Sequence, residues 1–257
     1  MTEYSTIRYN VENDAAWITL NRPHNRNALT AELVNELYEL LGSAEEDSRI
    51  RGIVITGSGP AFCSGADLKC PPGSTVDGSQ SVPYGDVLKR IMDCAKPVIV
   101  AINGSAAAGG LGLIGAADIV ISVDHAHFSF REVRVGVIPG VIAVVCLPKI
   151  GPHIAMKLFL TGERFTSEQA VEYGLVHQVV PQEQLVSAVN SELDAIKLGG
   201  PNAIKECKRL VRQVPTWSRD EGFVRTQQWS TEIFQSDEAA EGIAAFIEKR
   251  NASWIKD

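Results

Sequence analysis

Lys96-Pro97-Val98-Ile99-Val100-Ala101-Ile102-Asn103-Gly104-Ser105-Ala106-Ala107-Ala108-Gly109-Gly110-Leu111-Gly112-Leu113-Ile114-Gly115 is the stretch on which the fold turns. Pro97–Ile102 is a dense apolar, largely β-branched run bounded by Pro and by Asn-Gly, the pattern of a buried strand. The residues after it are too small to pack as knobs. They predict a turn into a short helix over Ser105–Ala117, where the backbone and another group approach closely. The free N–H groups of such a helix start suit an anion or a developing oxyanion. Small residues also serve plain helix packing, and the stretch alone leaves both readings open.

Within it, Gly110-x-Gly112-x-x-Gly115 matches the dinucleotide-binding spelling G-x-G-x-x-G. The context contradicts that reading. The fingerprint opens where a strand ends, yet seven residues, Asn103–Gly109, intervene, and only a few separate Gly115 from the next strand at Ile119.

Working outward, Ala16–Leu20 and Gly52–Thr56 read as further strands, followed respectively by Asn21-Arg22-Pro23 and by Gly57-Ser58-Gly59-Pro60. Thr30 is placed to cap a helix whose Leu33, Leu37, Leu40 and Leu41 follow helical spacing. Pro71–Asp86 holds three Pro, three Gly and three Ser, and predicts an exposed loop that is either a surface insertion or a substrate lid. Ile119–Val123, Phe128–Phe130 and Val176–Val180 complete the strands. From Gly140 onward helices dominate, including 182–198, 201–212 and 237–250. The chain reads as an α/β body over residues 1–200 with a helical region over 201–257, packed on the body or on a neighbouring subunit.

Composition bounds the chemistry. With 257 residues, 45% hydrophobic and 21% charged, the chain can bury a large core. A net charge of −7 without a Lys/Arg block argues against a nucleic-acid surface. Met1–Val11 lacks the pattern of an export signal. The longest apolar stretch is read as Leu111–Ile121, short of the roughly 20 residues of a spanning helix, so no membrane partner is expected. Five cysteines without a C-x-x-C pair read as reduced, mostly buried thiols of a cytoplasmic protein. The five histidines show no metal-ligand spacing, so a mechanism without metal is expected.

Three segments in order carry a resemblance: Asn21-Arg22-Pro23 with Asn27-Ala28-Leu29, then Phe62-Cys63-Ser64-Gly65-Ala66-Asp67-Leu68, then Lys96–Ile99 through Asn103-Gly104 to Ala108-Gly109-Gly110. They resemble the crotonase (enoyl-CoA hydratase/isomerase) superfamily. The likeness continues through Asp118, Phe128, Glu132, Gly136, Ile138-Pro139-Gly140, Leu160-Thr161-Gly162 and Ala170–Val176 to Phe246–Arg250. The resemblance implies a spiral of ββα units with a C-terminal helical trimerisation region, assembled as a homotrimer or a dimer of trimers. It implies an acyl-CoA thioester substrate, with coenzyme A entering as part of the substrate and no separate cofactor. It assigns the backbone N–H groups of Ala66 and Gly109 to the thioester oxygen. Asn25, Arg26, Ala28, Ser64, Asp67 and Leu68 are implied as contacts of the coenzyme A portion, and Gly140 as a further substrate contact. Arg26 meets a phosphate in this reading, or is an ordinary solvated charge.

Hydratases of the superfamily place two glutamates around a water. The second matches Glu132; the first falls on Gly112, so this chain lacks that carboxylate. In this it resembles single-glutamate hydratases such as bacterial methylglutaconyl-CoA hydratases, which share the segment Glu-Val-Arg-x-Gly-x-x-Pro. From its neighbours alone Glu132 reads as a surface salt bridge to Arg131 or Arg134. The resemblance makes it the acid/base in an apolar pocket. Hydration of a 2-enoyl-CoA is the favoured chemistry. Double-bond migration between 3- and 2-enoyl positions and non-catalytic acyl-CoA binding are the alternatives.

Overall fold

The computed structural model describes residues 4–71, 73–76 and 79–255. Met1–Glu3 of the amino-terminal reading, Pro72, Asp77 and Gly78 of the 71–86 loop, and Lys256 and Asp257 of the helical region lie outside the described residues.

The chain opens with an antiparallel pair, β1 (Ile7–Glu12) and β2 (Ala15–Leu20), and crosses to helix α1 (Ala31–Glu46). Thr30 caps α1, its Oγ accepting from the Leu33 N–H at 3.2 Å. The buried face of α1 carries Leu33, Leu37, Leu40 and Leu41 at the spacing read from the sequence.

Three ββα turns follow. The first is β3 (Gly52–Gly57), β4 (Ala61–Cys63) and α2 (Tyr84–Asp93), with a small hairpin of β5 (Thr75–Val76) and β6 (Ser79–Gln80) inserted before the helix. The second is β7 (Val98–Ile102), β8 (Ser105–Ala107) and α3 (Gly109–Ala116). The third is β9 (Ile119–Val123), β10 (His127–Ser129) and α4 (Gly140–Thr161). After them come β11 (Phe165–Thr166), α5 (Ser167–Glu172), β12 (Gln178–Val180), α6 (Leu185–Leu198), α7 (Pro201–Gln213), α8 (Arg219–Phe234) and α9 (Asp237–Glu248).

Each turn gives its first strand to one sheet, in the order β1-β2-β3-β7-β9-β12, and its second to another, in the order β11-β10-β8-β4. Within these two sheets the pairings are parallel apart from β1·β2 and β10·β11. Strand β7 is buried along its whole length and β3 and β9 along most of theirs, as parallel strands covered on both faces require. This is the expected spiral of ββα units.

Four local expectations change. Ser105–Ala107 is a strand of the second sheet, and the helix expected from Ser105 begins only at Gly109. The seven residues that argued against a dinucleotide fingerprint thus hold β8. The 71–86 loop is tied down where it is described: Ser81 is buried, its Oγ accepts from the Gly73 N–H, and the Asn35 side chain accepts from the Val82 N–H. The last residues of that loop, from Tyr84, already belong to α2. Finally, α4 at 22 residues is a longer apolar run than Leu111–Ile121, long enough by length and composition to cross a membrane. It is broken at Gly151 (φ 71°, ψ 160°) between Pro148 and Pro152, and it buries Ile142, Val145 and Cys146. Lys149 in the same helix donates to the Ala117 carbonyl at 2.8 Å.

Asp118, between α3 and β9, fastens the helical region to the sheets. Its carboxylate meets Lys208 Nζ and Arg212 Nη2 of α7, each at 2.7 Å, and accepts from the Val98 N–H at 2.8 Å. Helix α7 has no fully buried residue, and these two ion pairs tie it to the sheets. The Lys208 side chain is only 8% exposed and also donates to the Ile91 and Lys96 carbonyls, so loss of Asp118 would leave a buried ammonium without its counter-charge. Asp118→Ala is therefore expected to destabilise the protein by about 3–5 kcal/mol, read as a lowered urea midpoint. A change within about 0.5 kcal/mol, ordinary for surface sites, would show that the hub is not structural.

Candidate active site

Ala66, Gly109 and Glu132 lie within three residues of the C-terminal ends of β4, β8 and β10, neighbouring strands of the second sheet. The spiral therefore brings together residues that are far apart in sequence.

Leu29 and Ala66 form a parallel bridge in which the Leu29 N–H donates to the Gly65 carbonyl at 2.8 Å and the Asp67 N–H to the Leu29 carbonyl at 2.9 Å. Because Leu29 pairs with the residues on either side of Ala66, the Ala66 N–H is turned to the opposite side of the strand. Gly109 opens α3, so its N–H has no partner inside the helix. The two segments press together. A Cβ added to Gly65 (φ 93°) would lie 2.7 Å from the Ala108 Cβ and 3.1 Å from the Gly109 nitrogen. One added to Gly109 would lie 3.6 Å from the Ala66 nitrogen. Two free N–H groups in adjoining segments have the chemistry to hold a developing oxyanion. Ala108 carries φ 47° and ψ −123°, a conformation that costs an alanine about 1–3 kcal/mol. Its N–H bond to the Ser129 carbonyl, at 3.0 Å, helps hold it there.

Glu132 starts a 3-10 turn that ends on Gly136 in the left-handed region. The salt bridge that its neighbours suggest does not form: Arg134 donates instead to the Thr161 carbonyl at 3.3 Å, and the Arg131 guanidinium lines a different cavity. Glu132 Oε2 is buried without a hydrogen-bond partner. Burial pushes this carboxyl up from the usual carboxylate range, opposed only by its own backbone N–H. It is a carboxylate kept basic and unengaged.

Gly112 stands one helical turn beyond Gly109, and its missing side chain leaves no empty space. A Cβ there would lie 2.7 Å from Ile142 Cγ2, 3.0 Å from the Tyr84 hydroxyl oxygen and 3.2 Å from Leu88 Cδ1. The Tyr84 hydroxyl donates to the Gly109 carbonyl at 2.5 Å. Sequence reading missed Tyr84, which it assigned to the loop.

The remaining candidates divide. The Asn25 side chain and the Arg22 guanidinium both reach Asp67 Oδ2, at 2.9 and 3.4 Å, and the Lys69 N–H donates to Asp67 Oδ1. The Ser64 N–H donates to the Arg26 carbonyl at 3.0 Å, and the Ala28 carbonyl accepts from Arg22 at 2.8 Å. These bonds join the 22–29 segment to the 64–69 segment. Ala28 is buried, while Leu68 is 76% exposed. Gly140 is the exposed first residue of α4. Arg26 shares a cavity of about 360 Å³ with Arg131, Arg164, His127, Ser64 and Ser105; none of its lining residues is acidic. Among the described residues these three guanidinium groups have no ion pair or hydrogen bond. Among the described residues no three His, Cys, Asp or Glu side chains gather as a metal set.

The sequence model of the Enoyl-CoA hydratase/isomerase family matches residues 10–257. The chain is similar to Enoyl-CoA hydratase EchA19 of Mycobacterium tuberculosis, 35% identical over 239 residues that cover 91% of this chain and 90% of that one. It is similar to carnitinyl-CoA dehydratase of Salmonella arizonae, 34% identical over 244 residues covering 92% and 93%. In structure it resembles an enoyl-CoA hydratase/isomerase from Marinobacter aquaeolei, with TM-score 0.88 and 30% identity over 98% of this chain and 99% of that one.

The contact at Gly65 admits no side chain. Gly65→Ala is expected to force the two segments apart and destabilise the fold by about 1–3 kcal/mol. Thermal unfolding of the variant measures this, and an unchanged midpoint would mean that the approach is looser than described.

Proposed function

The chain belongs to the enoyl-CoA hydratase/isomerase (crotonase) family, and we propose that it adds water across the C2–C3 double bond of a 2-enoyl-CoA thioester. The observation that carries this reading is the buried, unpartnered Glu132 oxygen at the same strand ends as the Ala66 and Gly109 N–H groups. Glu132 takes a proton from water as the water oxygen bonds to C3. The electron pair moves through C2 to the thioester oxygen, where the two N–H groups hold the negative charge. The protonated Glu132 then returns its proton to C2 and the carbonyl re-forms. One water is consumed and the carboxylate ends as it began. The chain's own groups balance this transfer, so coenzyme A enters only as the handle of the substrate.

The joined 22–29 and 64–69 segments suit the pantetheine arm, with Ala28 and Leu68 as apolar wall and the Asp67 carboxylate fixing Asn25 and Arg22. Arg26, Arg131 and Arg164, converging without an acid between them, suit the phosphates. Gly140, at the start of α4, leaves room for the acyl end. All five cysteines are unpaired thiols, which fits a cytoplasmic enzyme.

The reaction is tested by following loss of the conjugated-thioester absorbance across straight, branched and carboxylated 2-enoyl-CoAs. Conversion of a 3-enoyl-CoA to the conjugated form, with no hydration, would establish the isomerase instead. Glu132→Gln is expected to lower kcat about 100-fold or more while acyl-CoA still binds. Because the carboxylate must be ionised to accept a proton from water, kcat/KM falls as pH drops through its raised pKa. The acid limb therefore sits above the ordinary carboxylate range. A limb at that ordinary range, or an active Glu132→Gln, would remove Glu132 from this role.

We further read α8 and α9 as the trimerisation surface. Phe223, Phe234, Phe246 and Ile247 are each at least 70% exposed, and α7 and α8 frame an apolar groove of about 700 Å³. Light scattering after gel filtration should give a mass that is a multiple of three chains. Phe223→Asp with Phe234→Asp should shift it toward one chain, and a monomeric parent would refute the reading.

A further inference from the structure

We propose that Tyr84 is the positioning residue of the oxyanion hole, its hydroxyl entering the cleft opened by Gly112 and clamping the first turn of α3 at Gly109. The proposal deepens the hydratase reading and rests on its assignment of the Gly109 N–H.

Three observations converge on it. The Tyr84 hydroxyl donates to the Gly109 carbonyl, in the first turn of α3. The space it uses exists because residue 112 is glycine; even a methyl group there would stand 3.0 Å from the hydroxyl oxygen. The turn it holds needs holding, because Ala108 immediately before Gly109 is strained and a strained residue persists only when its surroundings over-determine it. Backbone bonds from the Ala108 N–H to Ser129 and from the Leu111 N–H to Ala108 fix the near side of the turn. Among the described residues, Tyr84 is the side chain that fixes Gly109 itself.

Burial among Cys63, Cys146 and α3 pushes the Tyr84 hydroxyl well above its usual pKa, so it stays a donor throughout the working pH range. In this arrangement a neutral hydroxyl fills the place where the family pattern has a second carboxylate. No carboxylate of α3 accompanies Glu132, and its proton transfer depends on a correctly aimed oxyanion hole.

The test is Tyr84→Phe, which keeps the ring and its packing and removes only the hydroxyl. The first readout needs no turnover: the infrared carbonyl stretch of a bound saturated acyl-CoA. In the parent protein the two N–H groups polarise the carbonyl and lower its frequency. In Tyr84→Phe the band is expected to return toward its position in free thioester, with a thermal midpoint high enough to show a folded protein. The second readout is kinetic. kcat for hydration should fall about tenfold or more with KM little changed and with the acid limb of the pH profile unmoved. Gly112→Ala, which presses a methyl on the hydroxyl, should move the band in the same direction. A Tyr84→Phe protein whose carbonyl band matches the parent's overturns the proposal. If the parent hydrates no substrate, the reaction reading fails while the infrared comparison still decides the role of Tyr84.

Discussion

The contact of the Gly65-Ala66 segment with the Ala108-Gly109 turn is the constraint around which the molecule is arranged. At 3.1 Å from a would-be Gly65 Cβ to the Gly109 nitrogen, two stretches of backbone meet where side chains ordinarily keep them apart. Parallel strands β4 and β8 deliver the two segments side by side, and the spiral delivers the strands. The large parallel sheet behind them supplies the rigidity. Its strands pair in register from β2 through β9, with Ile53 opposite Val98 and Ile99 opposite Ile119. A shift of one residue in that ladder would send every side chain to the opposite covered face and pull the contact apart.

The electrostatics of the site follow from how little charge is put there. A second carboxylate beside Glu132 would raise one pKa by repulsion and invite a shared proton. With Gly112 and Tyr84 in that place, the elevation of Glu132 comes from burial alone among outside influences. The two arginines beside Glu132 in sequence are engaged elsewhere: Arg134 donates to the Thr161 carbonyl, and Arg131 lines the cavity it shares with Arg26 and Arg164.

Much of this was legible in the sequence, and what was not has identifiable causes. The Thr30 cap, the strands at β3, β7 and β9, and the helical run of α6 declare themselves through local signals that need no partner: a side-chain acceptor, β-branched density, 3.6-residue spacing. Strand β8 is three small residues long, and it exists because β4 and β10 bond to it, so no window of sequence contains its cause. Helix α8 escaped for a related reason, since Phe223, Val224 and Phe234 are exposed and its own chain asks for no apolar stripe. Of the candidate site, Ala66, Gly109 and Glu132 were reached through resemblance, whereas the unengaged state of Glu132 required seeing where Arg134 goes. Tyr84 was hidden among Pro, Gly and Ser, and its significance lies in a glycine 28 positions away.

The spiral also separates two tasks among its turns. The close backbone contact is made by the exits of β4 and β8, which are locked together and admit almost no change. The β5–β6 hairpin of one turn and the exposed start of α4 in another lie outside the two large sheets. Changes of length or composition in those two pieces leave the strand ladder in place, whereas α2 carries Tyr84 and is tied to Gly109. One such frame can diversify into many specificities by rewriting its loops while the pair of N–H groups stays where it is.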